Sequence, residues 1–111
     1  MANESGESAH TPGVEVVRAD AVAMMRHDIE SALIALGLTP NAWGNGADVS
    51  YDRHVHRHHK VLYCESGSIV FHIAAGDVVL AAGDRMELPA GVEHSATVGP
   101  DGVECVEAFR S

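Results

Sequence analysis

The chain has 111 residues, of which 46% are hydrophobic and 21% charged, which is the composition of one globular domain and not of a disordered chain. Sixteen acidic and seven basic side chains give a formal net charge of −9, which predicts repulsion of nucleic-acid phosphates and of anionic lipid. No apolar stretch approaches the roughly 20 residues of a membrane span, and the polar, acidic start of the chain shows no signal peptide. We therefore expect a cytoplasmic protein that binds neither nucleic acid nor a membrane.

Three segments are expected along the chain. Residues 1–13 are small and polar and predict a flexible tail. Residues 14–40 predict a helical segment, because one helix face carries the apolar side chains of Val22, Met25, Ile29, Leu33 and Leu36. Asp20 can cap the start of this helix, and Gly37 can take the left-handed conformation at its end. Since a lone amphipathic helix is unstable, we expect it to pack on residues 41–111.

From residue 43 onward the pattern changes to short β-rich runs separated by glycine-containing turns. The runs predicted as strands are 61–64, 69–73, 78–80, 86–88, 96–98 and 103–109. The turns predicted between them are 66–67, 75–77, 82–84, 89–91 and 99–102. Short strands at regular spacing are typical of an antiparallel sandwich or barrel. We expect one helix followed by a small all-β domain, with a two-residue hairpin at Ser66-Gly67.

Histidine is the residue type that points to chemistry, since eight occur in the chain. In an extended segment His54 and His56 share one face, about 6.6 Å apart along the strand, so their imidazoles can converge on one metal ion. A third ligand has to come from elsewhere, and His94 is the candidate because it follows a Pro-x-Gly turn. In a regular strand His58 shares the face of His56, so these two form an alternative pair. His59 has the opposite phase and is expected outside the metal site or at the surface.

The residues that lead up to His94 resemble a motif of a known family. They read Gly-Asp-Arg-Met-Glu-Leu-Pro-Ala-Gly-Val-Glu-His and resemble the second characteristic motif of the cupin superfamily. Val98 stands where that motif often has an asparagine. The resemblance implies that His94 is a metal ligand.

The first cupin motif is present in an altered form. Counting back from Gly67 places His54 and His56 on its two histidines, but Lys60 stands where the family usually has a glutamate. The glycine expected before the first histidine is also absent from its position. The resemblance covers about residues 43–109, and within it the sequence is similar to a group of small bacterial cupins with no settled biochemical role.

The resemblance implies a fold and a site. The fold is a cupin-type double-stranded β-helix, or jelly-roll barrel, with one N-terminal α-helix. The site is a divalent transition metal bound in the barrel by His54, His56 and His94, with iron, manganese, nickel, zinc and copper all suited to these ligands. Three neutral imidazoles leave coordination positions open and suit a small anionic ligand. Small cupins usually associate through an exposed sheet edge or face, so we expect a homodimer.

Two functions are compatible with such a site. The first is a metal-dependent enzyme that acts on a small anionic metabolite, as a dioxygenase, isomerase or lyase. The second is a non-catalytic cupin module that binds a small molecule or a metal. No general base can be identified from the sequence.

Four further polar side chains carry expectations. An ammonium beside a divalent cation is repelled, so Lys60 is not expected to be a ligand. Its long stem either carries the charge to the barrel mouth or lets it hold an anionic ligand. His72 is expected to be exposed to solvent, and Glu87 and Glu93 are expected to be solvated charges.

Overall fold

The computed structural model of the protein describes residues 13–19 and 25–110. These residues form, in chain order, β1 (Glu15–Val17), α1 (Arg26–Ala35), β2 (Asn41–Asn45), β3 (Ser50–His54), β4 (His59–Ile73), β5 (Gly76–Ala81), β6 (Arg85–Leu88) and β7 (His94–Arg110). All strand pairings among them are antiparallel, which confirms the all-β prediction. Within the described ranges, no helix is both long and apolar enough to span a membrane.

The two long strands, β4 and β7, organise the sheet. They pair with each other along most of their length. On its other side β4 pairs first with β6, over residues 60–63, and then with β5, over residues 68–73. In the same way β7 pairs first with β3 and then with β2. Because each long strand changes partner halfway along, one strand contributes to both halves of the barrel.

The predicted hairpin at Ser66-Gly67 is wrong, because β4 runs straight through these residues. The register between β4 and β7 shifts on either side of them, which marks a bulge. Gly67 has a φ of 74°, and a Cβ atom there would collide with the carbonyl oxygen of Gly102 in β7. The turn predicted at 99–102 likewise lies inside β7. Glycine therefore allows the two backbones to approach closely here, and the chain does not reverse.

The described helix α1 begins at Arg26, and its expected end is confirmed. The proposed cap Asp20 and the first stripe residue Val22 lie outside the described residues, as does the predicted tail apart from Gly13. At the end of α1, Gly37 has a φ of 80° and Leu38 donates its backbone N–H to a carbonyl in the last turn. This is the glycine-terminated helix end that the sequence indicated.

The segment predicted to be helical also contains a strand, β1, which pairs with β6. The buried carboxylate of Asp84 holds the residues after this strand in place. It accepts hydrogen bonds from the backbone of Ala19 (2.8 Å) and Ala81 (2.9 Å) and from the guanidinium of Arg18 (2.9 Å). Burial raises the pKa of Asp84, but these hydrogen bonds outweigh it and the pKa lies below its ordinary value. The division into tail, helical segment and barrel stays a prediction.

Apolar side chains form two separate buried clusters on opposite faces of β4 and β7. The inner cluster, here called the barrel core, includes Leu62, Cys64, Ile69, Phe71, Leu80, Met86, Leu88, Val98 and Cys105. The outer cluster, here called the helix layer, consists of Ile29 and Leu33 of α1 on Val61, Tyr63, Val106 and Ala108. Because both faces are covered, residues 60–64 are buried without interruption. Of the predicted apolar stripe, Ile29 and Leu33 are buried, whereas Met25 and Leu36 are exposed.

Candidate metal centre

The structure brings together the three predicted ligands, His54, His56 and His94. The ring centroids of His54 and His94 are 4.3 Å apart, and the ring of His56 lies 4.8 Å from the first and 5.1 Å from the second. One ring nitrogen from each histidine lies within 4.8 Å of the others. Three imidazoles from two distant stretches of the chain therefore meet at one point.

Strand pairing and one turn place these rings. His54 ends β3 and lies directly opposite His94, which begins β7. His56 follows β3, and its carbonyl accepts a hydrogen bond of 3.0 Å from the backbone N–H of Gly91. Gly91 belongs to the predicted turn between β6 and β7, so this turn holds the histidine segment and the start of β7 together.

Two of the rings are oriented by backbone carbonyls. The Nδ1 atom of His54 lies 2.6 Å from the carbonyl oxygen of Asp52, and that of His94 lies 3.0 Å from that of Val92. A carbonyl can only accept, so each Nδ1 carries the proton and each Nε2 keeps its lone pair. The Nε2 atoms of His56 and His94 are buried, and no hydrogen-bond partner is described for them. A buried polar atom without a partner is costly, and a metal ion would remove that cost, so these residues fit a metal.

The environment keeps the imidazoles of His56 and His94 neutral. Burial lowers the pKa of His56 to about 4, and the ammonium of Lys60 adds to this effect. Burial likewise lowers the pKa of His94. A metal binds only the neutral imidazole, so at neutral pH both side chains are in the form that coordination requires.

The histidines open into a cavity of about 360 Å³, within the size range of small-molecule sites. Aromatic side chains form much of its wall, among them Trp43, Tyr51 and Phe71. Trp43 and Tyr51 meet edge to face with 5.9 Å between ring centroids, and the Tyr51 hydroxyl is hydrogen-bonded to the side chain of Asn45. The cavity therefore combines aromatic side chains with polar groups, among them the three histidines.

A buried ion pair lies on the wall of the same cavity. The Nζ atom of Lys60 is 3.3 Å from Oε1 of Glu107, and these side chains are only 8% and 14% exposed. The same oxygen accepts a 2.9 Å hydrogen bond from the indole N–H of Trp43. The ammonium therefore does not lie in bulk solvent. This argues against the first role expected for Lys60, in which its stem carries the charge to the barrel mouth.

Glu107 was not among the site residues predicted from the sequence. The sequence did contain an indication of it. Cys105, which points to the same face as Glu107, and Val106, which points to the other face, are both apolar, so this strand is expected to be buried on both faces. A carboxylate on an otherwise buried strand calls for a partner. The hairpin predicted at Ser66-Gly67 hid that partner, because it would pair residues 60–65 with residues 68–73 instead of with β7.

The other histidines near the motif lie outside the cluster. His58 is exposed, so the alternative pair of His56 and His58 is not the one brought together. The Nε2 atom of His59 lies 2.5 Å from Glu87, which is also 3.6 Å from Arg110. Burial raises the pKa of Glu87, but the opposing effect of its bonds to His59 and Arg110 is larger. The pKa of Glu87 therefore lies below its ordinary value. The prediction that Glu87 is solvated is therefore wrong, because its side chain is 13% exposed.

His72 differs in part from its expected exposure. Its side chain is 39% exposed, but its ring is held from both sides. Nδ1 lies 2.7 Å from Asp77, and Nε2 lies 3.0 Å from the hydroxyl of Thr97. This ring links β5 to β7 across β4, away from the cavity lining.

Solved structures with the same fold include enzymes and proteins of unassigned activity. A chain from the crystal structures of the DMSP lyases RdDddP and RnDddQII is 25% identical, with a TM-score of 0.62, over 67% of this chain and 38% of that one. An RmlC-like cupin from Shewanella frigidimarina is 28% identical, with a TM-score of 0.58, over 65% of this chain and 64% of that one. Oxalate decarboxylase from Bacillus subtilis is 22% identical, with a TM-score of 0.59, over 67% of this chain and 21% of that one, and shows the fold alone. This chain thus spans less than two thirds of each.

No curated protein matches the sequence. The family model described as the cupin domain matches residues 44–107, which is more than half of the chain. The match includes both histidine segments and most of β7. The chain therefore belongs to the cupin family.

Proposed function

We propose that the protein binds one divalent transition metal through His54, His56 and His94 and, with it, binds or transforms a small anionic metabolite. The observation that carries the proposal is the pair of buried Nε2 atoms, of His56 and His94, that have no described partner beside a third imidazole. Iron, manganese, nickel, zinc and copper all suit nitrogen ligands of this kind.

The metal, when bound, supplies a positive charge that polarises an anionic ligand. Several residues of the site have separate parts in holding that ligand. The backbone carbonyls behind His54 and His94 fix the two rings, and the aromatic wall of Trp43 and Phe71 limits the water beside the ligand. Lys60 presents an ammonium group in the same cavity, where Glu107 balances its charge.

An enzyme of the dioxygenase, isomerase or lyase class is the first function that this site supports. The similarity to a chain from the DMSP lyase structures, at 25% identity, supports lyase chemistry in the cavity. An isomerase or lyase has to move a proton, and besides the histidines the ionisable side chains in the described lining are Tyr51, Lys60 and Glu107.

A non-catalytic binding module is the second function, and one observation favours it. Glu107, the carboxylate in the cavity lining, already contacts both Lys60 and Trp43 through one oxygen. Oε1 of Glu107 is therefore already occupied by two contacts within the protein. A module that captures a small anion or a metal needs no base.

We also propose that the protein is a cytoplasmic homodimer. Apolar side chains remain exposed on α1 and on β5, including Ile34 at 61% and Val79 at 49%. Light scattering at micromolar concentration tests this proposal, and a monomer would contradict it.

The metal proposal is tested on protein purified without a histidine tag or nickel resin. Elemental analysis should find close to one equivalent of a transition metal per chain, either as purified or after loading and dialysis. The loaded protein is then screened for oxygen consumption and product formation with small diketones, thiols and hydroxy acids. If the wild-type chain keeps no metal after loading, the metal site does not exist; if it keeps metal without turnover, the binding module is supported.

A further inference from the structure

The ion pair of Lys60 and Glu107 lies close to the histidine cluster. The ring of Phe109 connects them: its centroid is 5.6 Å from the ring of His56 and 5.9 Å from Nζ of Lys60. Lys60, Glu107 and the three histidines all line the cavity described above. A small ligand that reaches the histidines therefore also reaches the ion pair.

Among the described residues, this pair has hydrogen-bonding capacity that no contact uses. The ammonium of Lys60 has three donor protons, and the partner described for it is Oε1 of Glu107. Both partners described for Glu107, Lys60 and Trp43, contact that same oxygen, so no partner is described for Oε2. The wall consequently presents a charged donor and a charged acceptor side by side.

The charges in the cavity limit what can fill these positions. An imidazole that binds a metal is neutral and the ion pair sums to zero, so a divalent ion leaves a charge of about +2 that calls for an anion. The ligand must also donate a hydrogen bond to Glu107, because an anion without a donor would leave that oxygen desolvated and unpaired. An ammonium donor is repelled by the metal, whereas a hydroxyl is not.

On the basis of the proposed function, we infer that the ligand is a small hydroxycarboxylate. Its carboxylate bonds to Lys60 beside the metal, and its hydroxyl donates to Glu107. Lys60 thereby provides affinity for the carboxylate, and Glu107 determines specificity, since it rejects an otherwise equal acid that has no hydroxyl.

The test uses cobalt(II)-loaded protein with two probes that differ by one hydroxyl, lactate and propanoate. Binding is measured by calorimetry and by the visible absorption of cobalt. Lactate chelates a bare metal better than propanoate does, so the decisive quantity is the change in the affinity ratio between variants. Glu107→Met should reduce the ratio of lactate to propanoate affinity about 10-fold, because the hydroxyl loses its acceptor. Lys60→Met should weaken both probes by a similar factor and leave the ratio unchanged.

Controls separate the possible failures. Each variant is checked for cobalt stoichiometry and for cooperative unfolding. If a single variant does not fold, the double variant Lys60→Met/Glu107→Met is compared with the wild type instead, because removing both charges leaves neither unpaired. An unchanged ratio in the variant without Glu107 overturns the inference while the metal site stands. Tighter binding of alanine than of lactate also overturns it and indicates an amino acid. Failure of the wild type to bind cobalt overturns the proposed function itself and the inference with it.

Discussion

The two faces of the central strands differ in chemistry although they are made by alternate residues. On β4, Lys60 lines the cavity, whereas its neighbour Val61 lies under α1 in the helix layer. On β7, Glu107 lines the cavity and Val106 lies in the helix layer. The inner face at this end carries charge and imidazole nitrogen, and the outer face is apolar. We therefore expect substitutions on the inner face to change mainly ligand binding, and substitutions on the outer face to change mainly stability.

The largest expected effect lies on the inner face. His94→Gln removes one of the three proposed ligands and should lower the affinity for zinc or cobalt on the order of 1,000-fold, as measured by equilibrium dialysis. The matched control is His58→Gln, which changes an exposed histidine outside the cluster and should leave the affinity unchanged. Equal losses in the two variants would show that the cluster is not the metal site.

The second effect lies on the outer face. Leu33 is completely buried in the helix layer, so Leu33→Ala should lower the free energy of unfolding by about 2–5 kcal/mol in urea titrations. Metal affinity should change less than about 2-fold, given that sites without shared contacts behave additively. Ile34→Ala, one position along and 61% exposed, should cost no more than about 0.5 kcal/mol. A large loss of metal affinity in Leu33→Ala would mean that the two faces are coupled.

A third prediction concerns the stability of the charged pair on the inner face. Lys60→Met leaves Glu107 facing the cavity without its cation and should cost about 1–3 kcal/mol of unfolding free energy. The double variant Lys60→Met/Glu107→Met should cost less than the single one, because no buried charge is left uncompensated. Losses that simply add would show that the two side chains do not interact.

The smallest effect is a dependence of metal-free stability on pH. The pKa of His56 lies at about 4 in the folded chain, below the ordinary value of 6.5. Between these values the unfolded chain binds a proton that the folded chain does not, so stability should fall as pH drops from about 6.5 toward 4. His56 is only partly buried, and water reduces the effect. Denaturant titrations at several pH values check this, and a His56→Gln variant with an undiminished slope would contradict the assignment.

Much of the fold and the histidine cluster could be predicted because the signals are local. The strand runs at 78–80 and 86–88 fall inside β5 and β6, and Gly37 ends α1 as expected. The three histidines could be named because two short motifs carry both the residues and the turn that positions them.

The missed features depend on contacts between distant parts of the chain. A glycine with positive φ suits a hairpin and a bulge equally well, and only the approach of Gly102 to Gly67 decides between them. The pairing of Glu107 with Lys60 depends in turn on the register of β4 against β7, which that bulge shifts. One local ambiguity therefore hid both the long strands and the ion pair.

The long strands also determine how the cavity can be altered. β4 contributes Lys60 before its bulge and Phe71 after it, and β7 contributes His94 near its start and Glu107 near its end. The cavity lining thus belongs largely to the same two strands, which are hydrogen-bonded along most of their length and approach closely where Gly67 meets Gly102. Widening the space by moving a wall would pull those strands apart at that contact. Redesign for bulkier compounds would therefore succeed by trimming a side chain such as Phe71, and not by inserting residues into either strand.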